Sequence, residues 1–219
     1  MLKRNTLFSL LLLTIVYGGH AQVSQLELAS GPDKTDFTSF SFRPLVSNER
    51  FTIATLAFFQ KFHRQEEIIF DEAGVQSTLY WNLNQSISVG SRLYYNSETG
   101  LSEGLSILYK VQWTNFVLSA IPTLVHSEKT GYLNGELFLQ MQWTKSLKGD
   151  LKLLLSTQMF ANWDQFSHHT RSFQQIRAGL AHENIQYGLA IDFDQFGDNH
   201  VTSLGVFVRK ILNTNNHKP

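Results

Sequence analysis

Residues 101–144 alternate between apolar and polar side chains with a period of two, and this alternation constrains the fold more than any other feature of the chain. In 101–113 the odd positions are apolar or aromatic apart from Glu103, whereas most even positions are small or polar. The pattern returns in 133–143 and ends on Trp143. Alternation over more than ten residues is typical of a β-strand with one apolar face, so the sequence predicts an all-β fold.

The same periodicity predicts about ten strands. They cover residues 51–63, 74–82, 86–95, 101–113, 116–126, 131–143, 150–161, 171–182, 185–194 and 201–212. Pro122 weakens the prediction for its strand because proline removes a donor from the hydrogen-bond ladder. The longer or more polar connections are expected on one side only, at 64–72, 96–100, 127–130, 162–169 and 195–200. An even strand number with this asymmetry is typical of an up-and-down antiparallel outer-membrane barrel.

Residues 1–21 have the features of a secretory signal peptide. Lys3 and Arg4 supply the positive start, 7–16 is apolar, and small residues lie three and one before the predicted cut. We expect the mature chain to begin at Gln22 and to be exported to the outer membrane.

The predicted domain organisation follows from these assignments. Residues 22–50 are expected to form a periplasmic lead-in or partial plug, 51–212 the barrel, and 213–219 a polar tail. The alternative is that 35–43 pairs as a strand, in which case the barrel has twelve strands and one more has been missed.

Composition excludes several classes of protein. The chain has no cysteine, so it forms neither disulfides nor thiolate metal sites. Its formal net charge is zero and its charges are scattered, which argues against nucleic-acid binding. After the signal segment no apolar run is long enough for a transmembrane helix. We expect neither a metal nor another cofactor.

A lipid-embedded barrel explains the two faces of the strands better than a soluble sandwich does. In a sandwich the exposed face carries many charges, whereas here the polar face is rich in Gly, Ser, Gln and Thr. Trp81, Trp113 and Trp143 recur at the short-turn ends, where an indole ring can lie at the membrane interface. The lipid bilayer is therefore the predicted partner of the outer face.

The signal segment, the 19–22 Gly-His-Ala-Gln cleavage region and the Tyr80-Trp81-Asn82 strand end together resemble the small uncharacterised outer-membrane β-barrel proteins common in Bacteroidota. The resemblance covers nearly the whole chain and implies location and fold, not activity. The last strand departs from the usual bacterial ending, since it lacks a terminal aromatic residue and a tail follows Leu212.

Seven charged residues fall on the phase assigned to the lumen: Arg92, Lys110, Glu136, Lys152, Arg177, Asp192 and Arg209. Buried charges require partners, so a salt-bridged network that stiffens the barrel is the first interpretation. Five basic groups against two acidic ones leave open a second, a narrow cation-lined path for a small anionic solute.

Histidines and aspartates near the predicted long loops suggest a rim site. Asp192, Asp194, Asp198 and His200 are the weak catalytic candidates because carboxylate and imidazole groups act as acids and bases near neutral pH. Their spacing resembles the Asp-Asp and Asp-His pairs of omptin-type proteases, although here both pairs lie in one hairpin rather than on opposite walls.

The sequence therefore favours a non-enzymatic outer-membrane barrel of structural or narrow-channel type. The alternatives are a rim hydrolase that uses the loop His and Asp residues, or a barrel that binds another envelope protein.

Overall fold

The computed structural model describes residues 23–45, 50–63 and 71–212, and these form one closed antiparallel barrel. The strands are β1 Val23–Ser30, β2 Lys34–Pro44, β3 Phe51–Phe62, β4 Glu72–Asn82, β5 Ile87–Asn96, β6 Gly100–Gln112, β7 Phe116–Ser127, β8 Leu133–Ser146, β9 Leu151–Asp164, β10 His168–His182, β11 Ile185–Phe196 and β12 Asn199–Leu212. Each strand pairs with its neighbours in sequence, and β1 closes the barrel against β12. In the described ranges no helix is long and apolar enough to cross a membrane.

The predicted barrel fold is confirmed. It has twelve strands, the alternative, rather than the ten first expected. The expectation that 22–50 forms a lead-in or plug is wrong, because 23–30 and 34–44 pair as β1 and β2. On the second half of β2 the polarity of the two faces is reversed, whereas Lys34 and Asp36 in its first half face the lumen. Phe40 and Phe42 pack inside the barrel, whereas Ser41 on the outer face contacts Ser24 of β1. A strand with this reversed pattern does not show an apolar outer face in the sequence.

The connections at the two rims are more alike than predicted. We call the rim where β1 begins and β12 ends the proximal rim; its connections are 45–50, 83–86, 113–115, 147–150 and 183–184. The distal rim carries 31–33, 63–71, 97–99, 128–132, 165–167 and 197–198. Strands β9 and β10 extend into the region expected to be a loop, which shortens 162–169 to 165–167. Only 63–71 is a long distal connection.

Strand β7 continues through Pro122, as the sequence prediction required despite the missing donor. The register between β6 and β7 pairs Ser106 with Thr123 and resumes where Tyr109 pairs with Ala120. The unpaired interval contains Pro122, which has no N–H to donate. The proline therefore interrupts this ladder locally without ending the strand.

The outer wall exposes large apolar side chains on every part of its circumference. Leu105, Leu189 and Leu204 are each at least 60% exposed, and aromatic residues lie nearer the rims. A water-soluble protein seldom exposes so continuous an apolar surface, whereas lipid favours it. The barrel is thus of the transmembrane type.

Glycines allow close strand contact on the inner wall near β10–β12. Gly179 pairs directly with Gly188. A Cβ at Gly179 would lie 2.1 Å from the carbonyl oxygen of Tyr187. Gly31, directly after β1, and Gly205 on β12 are packed just as closely: a Cβ at Gly205 would lie 2.3 Å from the carbonyl oxygen of Ser30. These positions exclude side chains because neighbouring backbone fills the space.

Some sequence predictions lie outside the described residues. These are the signal peptide at 1–21, the mature start at Gln22, the tail at 213–219 and residues 64–70 of the connection predicted at 64–72.

Candidate functional site

The lumen contains ion pairs that join strands which are not neighbours. Arg92 on β5 donates from Nη1 to Glu136 Oε2 on β8 over 2.5 Å, although β6 and β7 separate their strands. Asn162 on β9 donates to the second Glu136 oxygen at 3.3 Å. Arg92 and Glu136 were both assigned to the lumen from the sequence, and the structure brings them together.

Arg177, Asp192 and Arg209 meet around a residue that the sequence analysis missed. Arg177 donates from Nε to Glu27 Oε1 at 2.9 Å and from Nη1 to Asp192. Arg209 donates from Nε to the other Glu27 oxygen at 2.6 Å. Glu27 was overlooked because β1 was taken for part of the lead-in segment.

Lys34 lies among three carboxylates. Its Nζ is 2.7 Å from Asp194, 2.9 Å from Asp36 and 3.4 Å from Asp192. Because Asp192 also accepts from Arg177, this group is continuous with the one around Glu27. The lysine side chain is only 2% exposed, so its charge depends on these neighbours for stabilisation.

Arg171 extends the same group toward β4. It donates to Asp194 at 3.2 Å and to Glu72 at 3.4 Å, and its guanidinium lies 3.9 Å from the ring centroid of Phe196. We call the connected set the lumen charge network: Glu27, Lys34, Asp36, Glu72, Arg171, Arg177, Asp192, Asp194 and Arg209. It is concentrated on the wall formed by β10–β12 and β1–β4.

Lys110 and Lys152 lie near the proximal rim, away from this network. Both fall on the inward phase of their strands, and Lys152 is exposed. Neither forms an ion pair with another residue in the part of the chain that the structure describes. The two lysines therefore lie at the proximal mouth of the lumen rather than in the buried interior of the barrel.

The weak catalytic candidates are not assembled into a site. Asp192 and Asp194 belong to the lumen charge network, Asp198 lies in the distal turn at 197–198, and His200 falls on the outward phase of β12 opposite Gln195. Among the described residues, no group of three His, Cys, Asp or Glu side chains is arranged to hold a metal ion. Within the described ranges these four side chains do not converge on one site, and the rim hydrolase stays a prediction from the sequence.

The three predicted interface tryptophans lie toward the proximal rim. Trp81 and Trp113 are more than half exposed, and Trp143 is partly buried on the outer face of β8. Trp113 packs against Phe116, with ring centroids 5.4 Å apart. This places indole rings around the outer circumference of that rim.

Two rows of matched side chains line the inner wall of β8–β10. Phe138, Phe160 and Phe173 are cross-strand partners in one row, which we call the Phe ladder. Gln140, Gln158 and Gln175 are cross-strand partners in the adjacent row, the Gln ladder. All six side chains are partly exposed to the lumen. Alternation in the sequence puts Phe138, Gln140 and Gln158 on the polar face of their strands, but it does not show that these side chains align across strands.

No protein-family model and no curated protein matches the chain in sequence. Among solved structures, it is similar to the NanC porin, with 8% identity, 88% of this chain and 98% of that chain covered, and a TM-score of 0.50. It also aligns with an outer membrane channel from Pseudomonas putida F1 (9% identity, 90% and 97% covered, TM-score 0.48) and with the KdgM porin (7%, 86% and 98%, 0.47).

The likeness to the NanC porin shows the fold of an outer-membrane β-barrel. At this identity it says nothing about the transported solute. The relationship to the small barrels of Bacteroidota stays a prediction.

Proposed function

We propose that this protein is an outer-membrane β-barrel of channel type, with a narrow path along the β7–β10 side of its lumen. The observation that supports this is a difference in burial between the two sides. Arg177, Asp194 and Arg209 are each 2% exposed, whereas the Phe and Gln ladders are partly accessible. The charge network fills the side formed by β10–β12 and β1–β4, and we place the path for water and a small solute along the more accessible ladders of β8–β10 beside it.

The charge balance argues against a strongly anion-selective path. The lumen charge network has four basic and five acidic members, and Arg92 is matched by Glu136. Each of these arginines has a carboxylate within hydrogen-bond distance. The cation-lined path that the sequence left open was based on five basic and two acidic groups, and that count omitted Glu27, Lys34, Asp36, Glu72, Arg171 and Asp194. Weak selectivity between small ions is the expectation.

We further propose that residues 1–21 direct export and that the apolar outer wall inserts into the outer membrane. Cell fractionation followed by gel migration with and without boiling tests this placement. Outer-membrane enrichment and heat-modifiable migration are expected of a closed barrel. A soluble product would contradict the proposal.

Planar-bilayer recording of the purified protein tests the channel. Discrete conductance steps are expected. Gln140→Trp, on the inner wall of β8, should reduce the step size by filling the path. Its neighbour on the outer face, Leu139→Trp, should leave it unchanged. Equal steps in both variants would place the path elsewhere.

The second candidate is a closed structural barrel, favoured by ion pairs such as Arg92–Glu136 that join strands across the lumen. Absence of conductance from a correctly folded, heat-modifiable protein would support it over the channel. Binding of another envelope protein stays a prediction from the sequence.

A further inference from the structure

We infer that the Phe and Gln ladders form a binding site for uncharged, hydroxyl-rich solutes of the carbohydrate class. This inference rests on the proposed channel function and names the solute that the path would accept. Three phenyl rings and three amides from β8, β9 and β10 occupy adjacent rows of one wall, an alignment that no single strand reveals.

The Phe ladder offers ring surface to the lumen. Phe160 and Phe173 are stacked, with centroids 5.4 Å apart and planes inclined by 22°. Phe138 is the cross-strand partner of Phe160 on its other side. The face of an aromatic ring carries partial negative charge, which attracts weakly positive C–H groups. A sugar ring presents such C–H groups on its flat faces, so it can lie against this row.

The Gln ladder offers hydrogen-bonding groups beside the rings. The side chains of Gln140, Gln158 and Gln175 make no hydrogen bond to another residue within the described ranges, and they are partly accessible. Each amide has two donors and an acceptor oxygen. Hydroxyl groups both donate and accept, so they match a row of amides, whereas a purely apolar solute would leave the amides without partners.

The surrounding charges favour a neutral solute over an acidic one. Asp194 pairs in the sheet with Phe173, and Asp192 with Gln175, so carboxylates border both ladders. The neighbouring cations Arg171 and Arg177 are already held by those same carboxylates. Because these carboxylates and cations largely neutralise one another, the border gives an anionic solute little net attraction.

The test is interruption of the wild-type channel current by maltohexaose, an uncharged linear oligosaccharide, with trigalacturonic acid as the charged comparison. Interruptions should become more frequent as maltohexaose is added and should be much rarer with the acidic sugar. Phe160→Ala and Gln158→Ala should each raise the half-saturating maltohexaose concentration about tenfold, which corresponds to about 1.4 kcal/mol. Both variants should keep heat-modifiable migration.

Matched controls lie on the outer face of the same strands or their neighbours. Gln174→Ala is the control for Gln158→Ala, since Gln174 is exposed on the outer face of the neighbouring strand β10. Phe193→Ala, 42% exposed on the outer wall, is the control for the phenylalanine variants. Equal effects of lumen and control variants would overturn the inference.

A measurement without current separates this inference from the proposed function. The Phe160→Trp variant keeps an aromatic ring and should change its emission when maltohexaose is added. Emission change without any conductance would overturn the channel but keep the site. Conductance with neither interruption nor emission change would overturn the site and keep the channel.

Discussion

Lys34 Nζ donates to Asp194 Oδ2 over 2.7 Å, linking β2 to β11 across 160 positions of sequence. Strands β1 and β12 lie between them in the barrel, so no ladder hydrogen bond connects the two. Ladder bonds join adjacent strands only. Contacts of this kind fix the relative positions of more distant parts of the wall.

Removing Lys34 should destabilise the barrel strongly. Lys34→Met leaves the buried carboxylate of Asp36 without its cation, while Asp192 and Asp194 keep Arg177 and Arg171. An unpaired buried charge costs about 3–5 kcal/mol. The free energy of unfolding in urea, followed by tryptophan fluorescence, measures the effect. Lys61→Met on β3 is the control because Lys61 is exposed. Equal stability of the two variants would contradict this assignment.

The Arg92–Glu136 pair is expected to influence ion selectivity. Arg92→Ala removes a positive group from the lumen and leaves Glu136 negative, so the reversal potential in a salt gradient should shift toward cation selectivity. The single variant should lose about 3–5 kcal/mol of stability.

The double variant Arg92→Ala with Glu136→Ala is the matched control for charge. It should return selectivity toward the wild-type value while keeping the extra space. If single and double variants share one reversal potential, Glu136 does not face the conducting path.

Gly179 is expected to tolerate no side chain. Gly179→Val would place Cβ 2.1 Å from the carbonyl oxygen of Tyr187, a backbone atom that cannot rotate away. Overpacking of this kind costs at least about 1–3 kcal/mol, and the urea midpoint should fall. Ala178→Val, one position away on the outer face, should change it little. A Gly179→Val barrel as stable as the control would refute the close approach.

Trp81 is expected to lie at headgroup depth. In a variant with Trp113, Trp143 and Trp163 replaced by Phe, its fluorescence should be quenched more by a lipid labelled near the headgroup than by one labelled at the chain end. A variant that keeps Trp143 as its single tryptophan provides the comparison on another part of the rim. Stronger quenching from the chain end would place this rim deeper in the bilayer.

The strands from β3 onward were predictable because their alternation is local. The ladders of β8–β10 could not be predicted in the same way. Phe138 and Phe160 each show only that they lie on the inward phase of a strand, and their alignment depends on the register between strands. Register follows from hydrogen bonding between strands and from turn geometry, neither of which is legible in one strand.

The lumen charges were likewise predictable only in part. Arg177 and Asp192 were assigned inward from alternation alone, since a charge is excluded from a lipid-facing wall. Their partner Glu27 was not, because β1 is short and β2 carries Phe40 and Phe42 inside. Two of the rim hydrolase candidates, Asp194 and His200, are near in sequence but lie on opposite faces of the wall, which alternation alone already indicates.

The sequence by itself determined the all-β barrel class, most strands and the phase of each, because alternation with a period of two reports directly which side chains share a face. Only the tertiary structure decided the twelve-strand closure, the partners of the buried charges and the alignment of the two ladders. Those features depend on contacts between residues far apart in the chain, and the physical requirement that each buried charge find a partner becomes specific only once the barrel has closed.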